Sequence, residues 1–259
     1  NFNMNENIQK FKIPSRYERI DSNSLHGGNG EVYKCRDTKT GSIVALKHLV
    51  RKSYEKEVRF LREIKVVKEK LKDIKGVIPI LDSCCKEEWY TMPFAEGIND
   101  HNTASKANYI NIAVGIKQLA ETLDVIHTKY KYSHRDIKPA NIFFYNNRYS
   151  LGDFGLVDMP DEKKKNITKA ESHIGAIFTM APEMKRYADK ADGKKADVYS
   201  LAKTFWMLLM NHDKGFEGPY DFLKRDQGLQ FNNELKNVHL AEIHILLKDA
   251  TQNDPDARP

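Results

Sequence analysis

Short apolar runs separated by polar turns fill the first third of the chain. Several are rich in β-branched and aromatic residues: Glu31–Cys35, Ile43–Lys47, Val77–Leu81 and Trp89–Met92. Runs of this length and composition, bounded by turn residues, are typical of strands. The Asp, Thr and Gly residues of Asp37–Gly41 indicate a turn between the first two runs.

One helix is predicted within this strand-rich part, over Tyr54–Leu71. Its apolar residues are spaced four, three and four positions apart: Phe60, Ile64, Val67 and Leu71. This spacing puts them on one face of an amphipathic helix. The chain up to Pro93 is therefore predicted to form a small sheet with one helix.

Beyond Gly97 the hydrophobic pattern becomes helical. Apolar residues first alternate spacings of four and three, at Ile112, Ile116, Leu119, Leu123 and Ile126. Two more apolar helices are predicted over Val198–Met210 and Leu240–Leu247, whereas Asp158–Lys169 is polar enough to predict a surface loop. The sequence thus predicts an α+β fold with a small antiparallel-sheet lobe, a larger helical lobe and a ligand site in the cleft between them.

Composition argues against several classes of protein. Lys and Arg outnumber Asp and Glu by only 42 to 36 in 259 residues, so nucleic acid is not an expected partner. The longest apolar run, Phe205–Met210, is far shorter than the roughly 20 residues of a membrane span. Residues 1–12 lack the pattern of a signal peptide. The three cysteines have no disulfide or metal-site spacing, so we expect a reducing compartment, the cytoplasm.

One stretch carries the residues best suited to phosphate chemistry. The sequence His-Arg-Asp-Ile-Lys-Pro-Ala-Asn ends at Asn141, and Asp-Phe-Gly begins twelve residues later at Asp153. Asp136 can accept a hydrogen bond from a hydroxyl, and Lys138 can offer a positive charge to phosphoryl oxygens. Asn141 and Asp153 supply the hard oxygen ligands that Mg²⁺ prefers.

These motifs together resemble the catalytic loop and the magnesium-binding motif of protein kinases. The resemblance covers residues 17–259, with a small lobe over 17–93 and a large lobe over 94–259. Residues 1–16 are expected to be an amino-terminal extension. The last helix of the family, which follows Arg258, is expected to be missing.

The resemblance implies a reaction and the residues that carry it. The γ-phosphoryl group of Mg-ATP is transferred to a protein hydroxyl, and Lys138 marks serine/threonine rather than tyrosine kinases. Asp136 orients the hydroxyl, Lys138 steadies the phosphoryl group, and Asn141 with Asp153 holds magnesium. Lys47 resembles the lysine that contacts the α- and β-phosphates.

A glutamate on the predicted helix is expected to pair with Lys47. Glu63 lies sixteen residues after the lysine, and Glu57 lies only ten residues after it. The shorter spacing leaves little chain for the connection, so we prefer Glu63. Without the resemblance, either glutamate is equally typical of a surface charge partner.

The stretch Leu25–Val32 resembles the glycine-rich turn that covers the nucleotide phosphates. Glycine lets backbone amides approach phosphate oxygens without a side chain in the way. Leu25 replaces the first glycine of the family pattern and Asn29 replaces its usual aromatic residue, so closure over ATP departs from the family. A plain hairpin has the same glycine content, and the glycines concerned are Gly27, Gly28 and Gly30.

The resemblance also assigns residues to an adenine pocket: Val32 and Ala45 above the ring, Phe143 below it, and Met92, Pro93 and Ala95 along its edge. Met92 is the gatekeeper, while the Pro93 carbonyl and the Ala95 amide face the purine. Proline is compatible with this position because the position presents a carbonyl and needs no N–H. Such apolar residues are equally typical of any core.

An activation segment is expected between Asp153 and Glu183. Thr168 and Ser172 are its candidate phosphorylation sites, and Ser172 stands where many family members carry an activating phosphate. Arg135 is expected to hold a phosphorylated residue through paired N–H groups.

Two further contacts are expected to stabilise the large lobe. Asp197 resembles the aspartate that anchors the catalytic-loop backbone from a buried helix. Arg258 resembles the arginine that pairs with Glu183. Buried carboxylates need such partners.

The alternatives are a pseudokinase or a weakly active kinase that works as a scaffold, and a small-molecule phosphotransferase. Ala176 replaces a threonine that bonds the catalytic aspartate and lysine in the family, which together with Leu25 favours the first alternative. Lys138 and the Ala-Pro-Glu sequence ending at Glu183 argue against the second. The expected partners are ATP, Mg²⁺ and protein substrates, and a homodimer that phosphorylates itself in trans is left open.

Overall fold

The computed structural model describes residues 11–21, 25–27, 30–50, 53–159, 177–188 and 190–259. Its strands are β1 Tyr17–Arg19, β2 Leu25–Gly27, β3 Gly30–Asp37, β4 Ile43–Leu49, β5 Asp82–Cys84, β6 Trp89–Pro93, β7 Glu96–Gly97, β8 Ile142–Tyr145 and β9 Arg148–Leu151. Its helices are α1 Tyr54–Val66, α2 Ile98–Ala104, α3 Tyr109–Val125, α4 Pro182–Tyr187, α5 Gly193–Met210 and α6 Ala241–Ala250. Single π-helical turns continue α1 over Val67–Leu71 and α3 over Ile126–Tyr130. Short 3₁₀ turns lie at Pro139–Asn141, Leu229–Phe231, Asn233–Leu235 and Pro255–Ala257.

The strands before residue 94 form one antiparallel sheet in the order β1-β3-β4-β6-β5, with β2 also paired to β3. A second antiparallel sheet, β7-β8-β9, follows the first one in the chain. Each neighbouring pair is antiparallel, which allows short connections between consecutive strands. Along the chain, α1 comes between β4 and β5 of the first sheet, and it packs against that sheet.

Side-chain caps explain where the two longest amphipathic helices begin. The Ser53 side chain accepts a hydrogen bond from the Lys56 backbone N–H at the start of α1. The Asn108 side chain accepts from the backbone N–H groups of Ile110 and Asn111 at the start of α3. Each cap satisfies donors that a helix leaves without an intrahelical partner.

The large lobe is organised around α5, which is mainly apolar and buried along nearly its whole length. A helix of this kind belongs in the centre of a core. Leu119 of α3, Phe205 of α5 and Leu247 of α6 belong to one continuous hydrophobic cluster. Val66, at the end of α1, joins the same cluster and connects the small lobe to it.

The predicted fold class is confirmed, since an antiparallel sheet with one helix precedes a mainly helical part. The prediction of a strand over Val77–Leu81 is wrong. Val77 makes a single bridge to Leu151 of β9, and the strand that pairs with β6 begins only at Asp82. Val77 and Ile78 are apolar because they are buried in the core. A buried segment outside a strand gives the same short run of apolar residues as a strand does.

No helix within the described ranges is long and apolar enough to cross a bilayer.

Close contact between α3 and β9 depends on a glycine. A Cβ atom added to Gly115 would lie 2.3 Å from the ring of Tyr149. The Tyr149 ring is buried, and its hydroxyl donates to Asn102 Oδ1 at 2.7 Å. The ring is therefore fixed at its hydroxyl end and cannot easily move away from an added methyl group.

We expect Gly115→Ala to lower the free energy of unfolding by about 1–3 kcal/mol, because the added methyl overpacks the helix–strand contact. Urea denaturation measures the change. At an open helical position the same substitution would stabilise the protein by up to about 1 kcal/mol, since alanine is the better helix former. A gain in stability would therefore contradict the packing described. Ala120→Gly, at an exposed position of α3, is the matched control for helix propensity alone.

Candidate functional site

The His-Arg-Asp loop, residues 134–141, is anchored by the buried carboxylate of Asp197, near the start of α5. Its two oxygens accept hydrogen bonds from the backbone N–H groups of His134 and Arg135, each at 2.7 Å. His127 Nε2 lies 2.8 Å from Asp197 Oδ2. Asp197 is fully buried, so these donors replace the water it loses. The anchoring contact expected from the sequence is present, and His127 is an additional partner that the sequence pattern did not reveal.

Two other polar residues of the loop hold the Asp136 carboxylate. Lys138 Nζ lies 3.0 Å from Asp136 Oδ1 and 2.8 Å from Oδ2. Asn141 Nδ2 donates to the Asp136 carbonyl at 2.8 Å and to Oδ2 at 2.9 Å. These bonds fix the carboxylate and use the amide nitrogen of Asn141, which leaves the amide oxygen available as an acceptor.

Lys47, Glu63 and Asp153 form a second polar cluster, which joins β4, α1 and the Asp-Phe-Gly triplet. Lys47 Nζ lies 3.0 Å from Glu63 Oε2 and 3.8 Å from Asp153 Oδ1. Lys47 and Glu63 are 6% and 4% exposed, so their charges interact in a medium that screens them little. The structure therefore pairs Lys47 with Glu63.

The pKa values in this cluster follow from burial and charge. Burial alone would lower the pKa of Lys47, but the negative charges of Asp153 and Glu63 raise it well above its usual value. Burial alone would raise the pKa of Asp153, but the positive charges of Lys47 and Lys138 hold it below its usual value. Lys47 is thus charged, and Asp153 is ionised at neutral pH.

Glu63 also contacts the Asp-Phe-Gly triplet. Its Oε1 accepts a hydrogen bond from the backbone N–H of Phe154 at 3.2 Å. The Phe154 ring is fully buried and meets the ring of His134 edge to face, with centroids 4.6 Å apart. His134 Nε2 lies 3.1 Å from the Gly152 carbonyl. The two polar clusters are therefore joined by packed rings and hydrogen bonds.

The residues assigned to the adenine pocket lie on strands of both sheets and, for Ala95, on the segment between β6 and β7. Ala45 of β4 is directly opposite Met92 of β6, and Pro93 pairs with Val44. Phe143 of β8 lies against Gly152, because a Cβ atom on that glycine would be 2.8 Å from its ring. Val32, Met92, Pro93, Ala95 and Phe143 are partly exposed, and Ala45 is buried.

The glycine-rich turn is described only in part. Gly27 and Gly30 pair at the end of the β2–β3 hairpin, and Gly28 and Asn29 lie outside the described residues. A Cβ atom on Gly30 would lie 2.3 Å from the His48 carbonyl oxygen of β4. The close approach of β4 is therefore reason enough for glycine at this position, whether or not a phosphate binds there.

Arg135 has an acidic partner within the described chain. Arg135 Nη2 lies 2.8 Å from Asp158 Oδ2. The backbone groups of Asp158 also exchange two hydrogen bonds with Ser133, at 2.9 and 3.2 Å. The guanidinium expected to hold a phosphorylated residue thus already binds a carboxylate. Thr168, Ser172 and Ala176 lie outside the described residues.

The expected pair of Glu183 and Arg258 is present, and it is bidentate. Arg258 donates to the two Glu183 oxygens at 2.6 and 2.8 Å. It also donates to the carbonyls of Gln252 and Lys195 at 2.8 and 3.0 Å. Arg258 is 3% exposed, so α4 is fastened to the C-terminal turn by a buried, fully bonded ion pair.

The model of the protein kinase domain family matches residues 26–259, nearly the whole chain. The chain belongs to the protein kinase family. The His-Arg-Asp loop, residues 134–141, and the Asp-Phe-Gly triplet, residues 153–155, both lie within the matched range.

Curated relatives at modest identity agree with this assignment. Cyclin-dependent kinase-like 1 of Caenorhabditis elegans is 33% identical over 204 residues, which are 75% of this chain and 55% of the relative. Serine/threonine-protein kinase pak-1 of the same organism is 29% identical over 192 residues, 72% of this chain and 32% of the relative. Calcium-dependent protein kinase 14 of Arabidopsis thaliana is 28% identical over 222 residues, 78% of this chain and 37% of the relative. The chain thus spans between about a third and about half of the length of these relatives.

Protein kinase domains use Mg-ATP, and the described residues fit that group. Asn141 and Asp153 each offer an oxygen, which suits Mg²⁺ because this ion keeps several waters and substrate phosphate oxygens as ligands. Among the described residues no set of three or more His, Cys, Asp or Glu side chains forms a metal cage.

We expect Arg258→Met to lower the free energy of unfolding by about 3–5 kcal/mol, because the substitution leaves the Glu183 carboxylate without its buried partner. Chemical denaturation followed by circular dichroism measures the change. Arg186→Met, at an exposed position of α4, is the matched control and should change stability by no more than about 0.5 kcal/mol. Equal effects of the two substitutions would contradict a structural role for the pair.

Proposed function

We propose that this chain is an active serine/threonine protein kinase that transfers the γ-phosphoryl group of Mg-ATP to a protein hydroxyl. The observation that carries the proposal is the hydrogen-bonded unit of Asp136, Lys138 and Asn141. Lys138 and Asn141 both donate to Asp136, so the carboxylate is fixed before a substrate arrives. Such pre-organisation is the main way in which an enzyme accelerates phosphoryl transfer.

Hydrogen-bond capacity supports the role of each residue in this unit. A carboxylate has about four acceptor sites, and Lys138 and Asn141 use three of those on Asp136. The remaining site on Oδ1 can accept the substrate hydroxyl and orient it. Lys138 has three N–H donors and uses two, so one is left for a phosphoryl oxygen.

The second cluster would hold the nucleotide. Mg-ATP supplies the phosphoryl group, with the metal neutralising part of the phosphate charge. Lys47 would bind the α- and β-phosphates, with Glu63 fixing the direction of its ammonium group. Asp153 and Asn141 would hold Mg²⁺ through their side-chain oxygens. The backbone at Gly27, Gly28 and Gly30 would cover the phosphates.

The adenine ring would bind at the junction of the two sheets. The residues proposed to line it are Val32, Ala45, Met92, Pro93, Ala95 and Phe143. This pocket would lie where the proposed lobes, 17–93 and 94–259, meet, and residues 1–16 would precede them. We further propose protein substrates and a cytoplasmic location, which the free thiols of Cys35, Cys84 and Cys85 support.

We expect Asp136→Asn to reduce phosphoryl transfer by about 10²–10⁴-fold, because an amide cannot accept the proton of the substrate hydroxyl. The assay follows incorporation from γ-labelled ATP into a generic basic protein in the presence of magnesium. Asp124→Asn, at an exposed position of α3, is the matched control and should keep full activity. Incorporation by the Asp136 variant at the wild-type rate, or none by the wild type, would contradict an active kinase. A wild type that transfers no phosphate but binds nucleotide normally would favour the pseudokinase.

We also propose that phosphorylation of Ser172 or Thr168 regulates this site through Arg135. Mass spectrometry of the wild-type protein after incubation with Mg-ATP should find phosphate on Ser172, and Ser172→Ala should lower the transfer rate. The proposal fails if Ser172 and Thr168 remain unmodified while other sites become phosphorylated.

A further inference from the structure

Lys203 is a buried lysine in the middle of α5, and none of the motifs described above includes it. It is 1% exposed, whereas lysine is almost never fully buried without a partner. Its Nζ atom donates to the carbonyls of Phe216 and Gly218, each at 2.7 Å. The same atom lies 3.4 Å from the centroid of the Phe216 ring. These partners all belong to one short segment, 216–218, which follows α5 in the chain.

Both hydrogen bonds can persist in either charge state of Lys203. Burial, together with the nearby positive charge of Lys185, lowers the pKa of Lys203 to about 7, although the negative charge of Glu217 opposes the shift. An ammonium group has three N–H donors, and a neutral amine keeps two. Two donors are enough for the two carbonyls, so the lysine can hold the segment on either side of neutral pH.

Two other side chains of α5 contact the same segment. The Phe216 ring meets the Trp206 ring edge to face, with centroids 5.2 Å apart. The Tyr199 hydroxyl lies 3.5 Å from the Gly218 carbonyl oxygen. The segment is thus fastened to the most deeply buried helix of the large lobe, with Lys203 at the centre of the contact.

The residue before this segment, Gly215, lies against the backbone of Phe178. A Cβ atom added to Gly215 would be 2.9 Å from the Phe178 carbonyl oxygen and 3.3 Å from the Phe178 Cβ atom. Tyr199 makes a second connection, because its ring belongs to the same buried cluster as Ala181. The segment that Lys203 holds therefore supports residues 178–181.

The chain from Phe178 onwards leads back to the His-Arg-Asp loop. It enters α4, and Ala188 at the end of α4 accepts a hydrogen bond from Arg135 Nη2 at 3.4 Å. Arg135 precedes Asp136 directly in the loop. The cluster proposed to hold the nucleotide includes none of the residues in this series of contacts. We therefore expect a shift of 178–181 to change the protein surface next to the loop and to leave the nucleotide cluster in place.

We infer that Lys203 is a positioning residue for the protein substrate: by holding 216–218 it fixes residues 178–181 next to the loop where the substrate hydroxyl must bind. The inference rests on the proposed function and adds to it a residue outside both polar clusters. Without the amine, two carbonyls lose their donor, and the bond to Phe216 lies in the interior. A buried carbonyl without a donor is unfavourable, so the segment moves towards water and Gly215 no longer supports Phe178.

The test compares Lys203→Met with two control variants. Methionine keeps an unbranched apolar side chain of similar length but has no N–H donor. Lys248→Met removes an exposed lysine of α6. Gly115→Ala overpacks the contact of α3 with β9 and thus shows what lower stability of the large lobe does by itself. Steady-state kinetics with a generic basic protein gives KM for the protein and KM for ATP separately.

We expect Lys203→Met to raise KM for the protein about five- to tenfold, as the loss of two hydrogen bonds predicts. KM for ATP and kcat should stay close to the wild-type values, because the substitution removes binding of the protein in the ground state. Lys248→Met should match the wild type in both KM values. Gly115→Ala should lower Tm but leave KM for the protein unchanged.

Hydrogen–deuterium exchange followed by mass spectrometry measures the same effect without requiring transfer. In Lys203→Met, peptides that cover 178–181 and 215–218 should lose protection, because their backbone is no longer held. In Gly115→Ala these peptides should keep the protection that they have in the wild type.

A second variant tests the contact from its other side. Gly215→Ala leaves Lys203 intact but forces Phe178 away, so it should also raise KM for the protein. The double variant should raise KM by less than the product of the two single effects, because both substitutions disturb one contact. If Lys203→Met does not fold, Gly215→Ala decides alone, and a wild-type KM for the protein in that variant overturns the inference.

Other results would also overturn the inference. These are an unchanged KM for the protein in Lys203→Met, an equal rise in Gly115→Ala, a parallel rise in KM for ATP, or single effects that multiply in the double variant. Each of them leaves the proposed function intact, since the wild type still transfers phosphate. A wild type that transfers no phosphate contradicts the active kinase and the substrate role of Lys203 together, while hydrogen exchange still decides whether Lys203 holds 178–181.

Discussion

The hydrogen bonding of one buried carboxylate, that of Asp197, is the constraint on which the His-Arg-Asp loop depends. Asp197 is fully buried and can stay so only because the N–H groups of His134 and Arg135 and the ring of His127 surround it. The position of the loop backbone is therefore set by the carboxylate. This carboxylate belongs to α5, the most deeply buried helix. Rigidity of the core is thus transmitted to Asp136, one residue beyond the anchored backbone.

In the small lobe, Glu63 is likewise a buried carboxylate that fixes the groups donating to it. This carboxylate accepts from Lys47 on β4 and from the backbone of Phe154, so sheet, helix and Asp-Phe-Gly triplet share one charged group. A shift of α1 would leave Glu63 or Lys47 unpaired in a medium of low dielectric, which costs several kcal/mol by the usual range for broken buried pairs. A partly formed site is therefore disfavoured. The Arg135–Asp158 pair connects the His-Arg-Asp loop to the chain just after the Asp-Phe-Gly triplet in a similar way.

Hydrophobic periodicity predicted the elements with strong local patterns, such as β3, β4, α1, α3 and α5. It was wrong at Val77–Leu81, where apolar residues are buried against β9 and do not extend the sheet. It also could not explain Gly30, because the reason for that glycine is a carbonyl of the neighbouring strand. Alternation along Trp89–Met92 could have indicated that Tyr90 shares a face with Lys47, but only once the pairing of β4 with β6 is known.

The sequence by itself determined the chemistry of this protein: an aspartate, a lysine and an asparagine at kinase spacing, followed by Asp-Phe-Gly. It did so because residue types and short spacings define which groups one loop can present. Only the tertiary structure showed the contacts around that loop, namely Asp158 with Arg135 and His127 with Asp197, and it selected Glu63 over Glu57 as the partner of Lys47. The partners lie as far as 70 residues apart in the chain. Contacts over such separations depend on how the helices and strands pack, and local sequence pattern does not encode that packing.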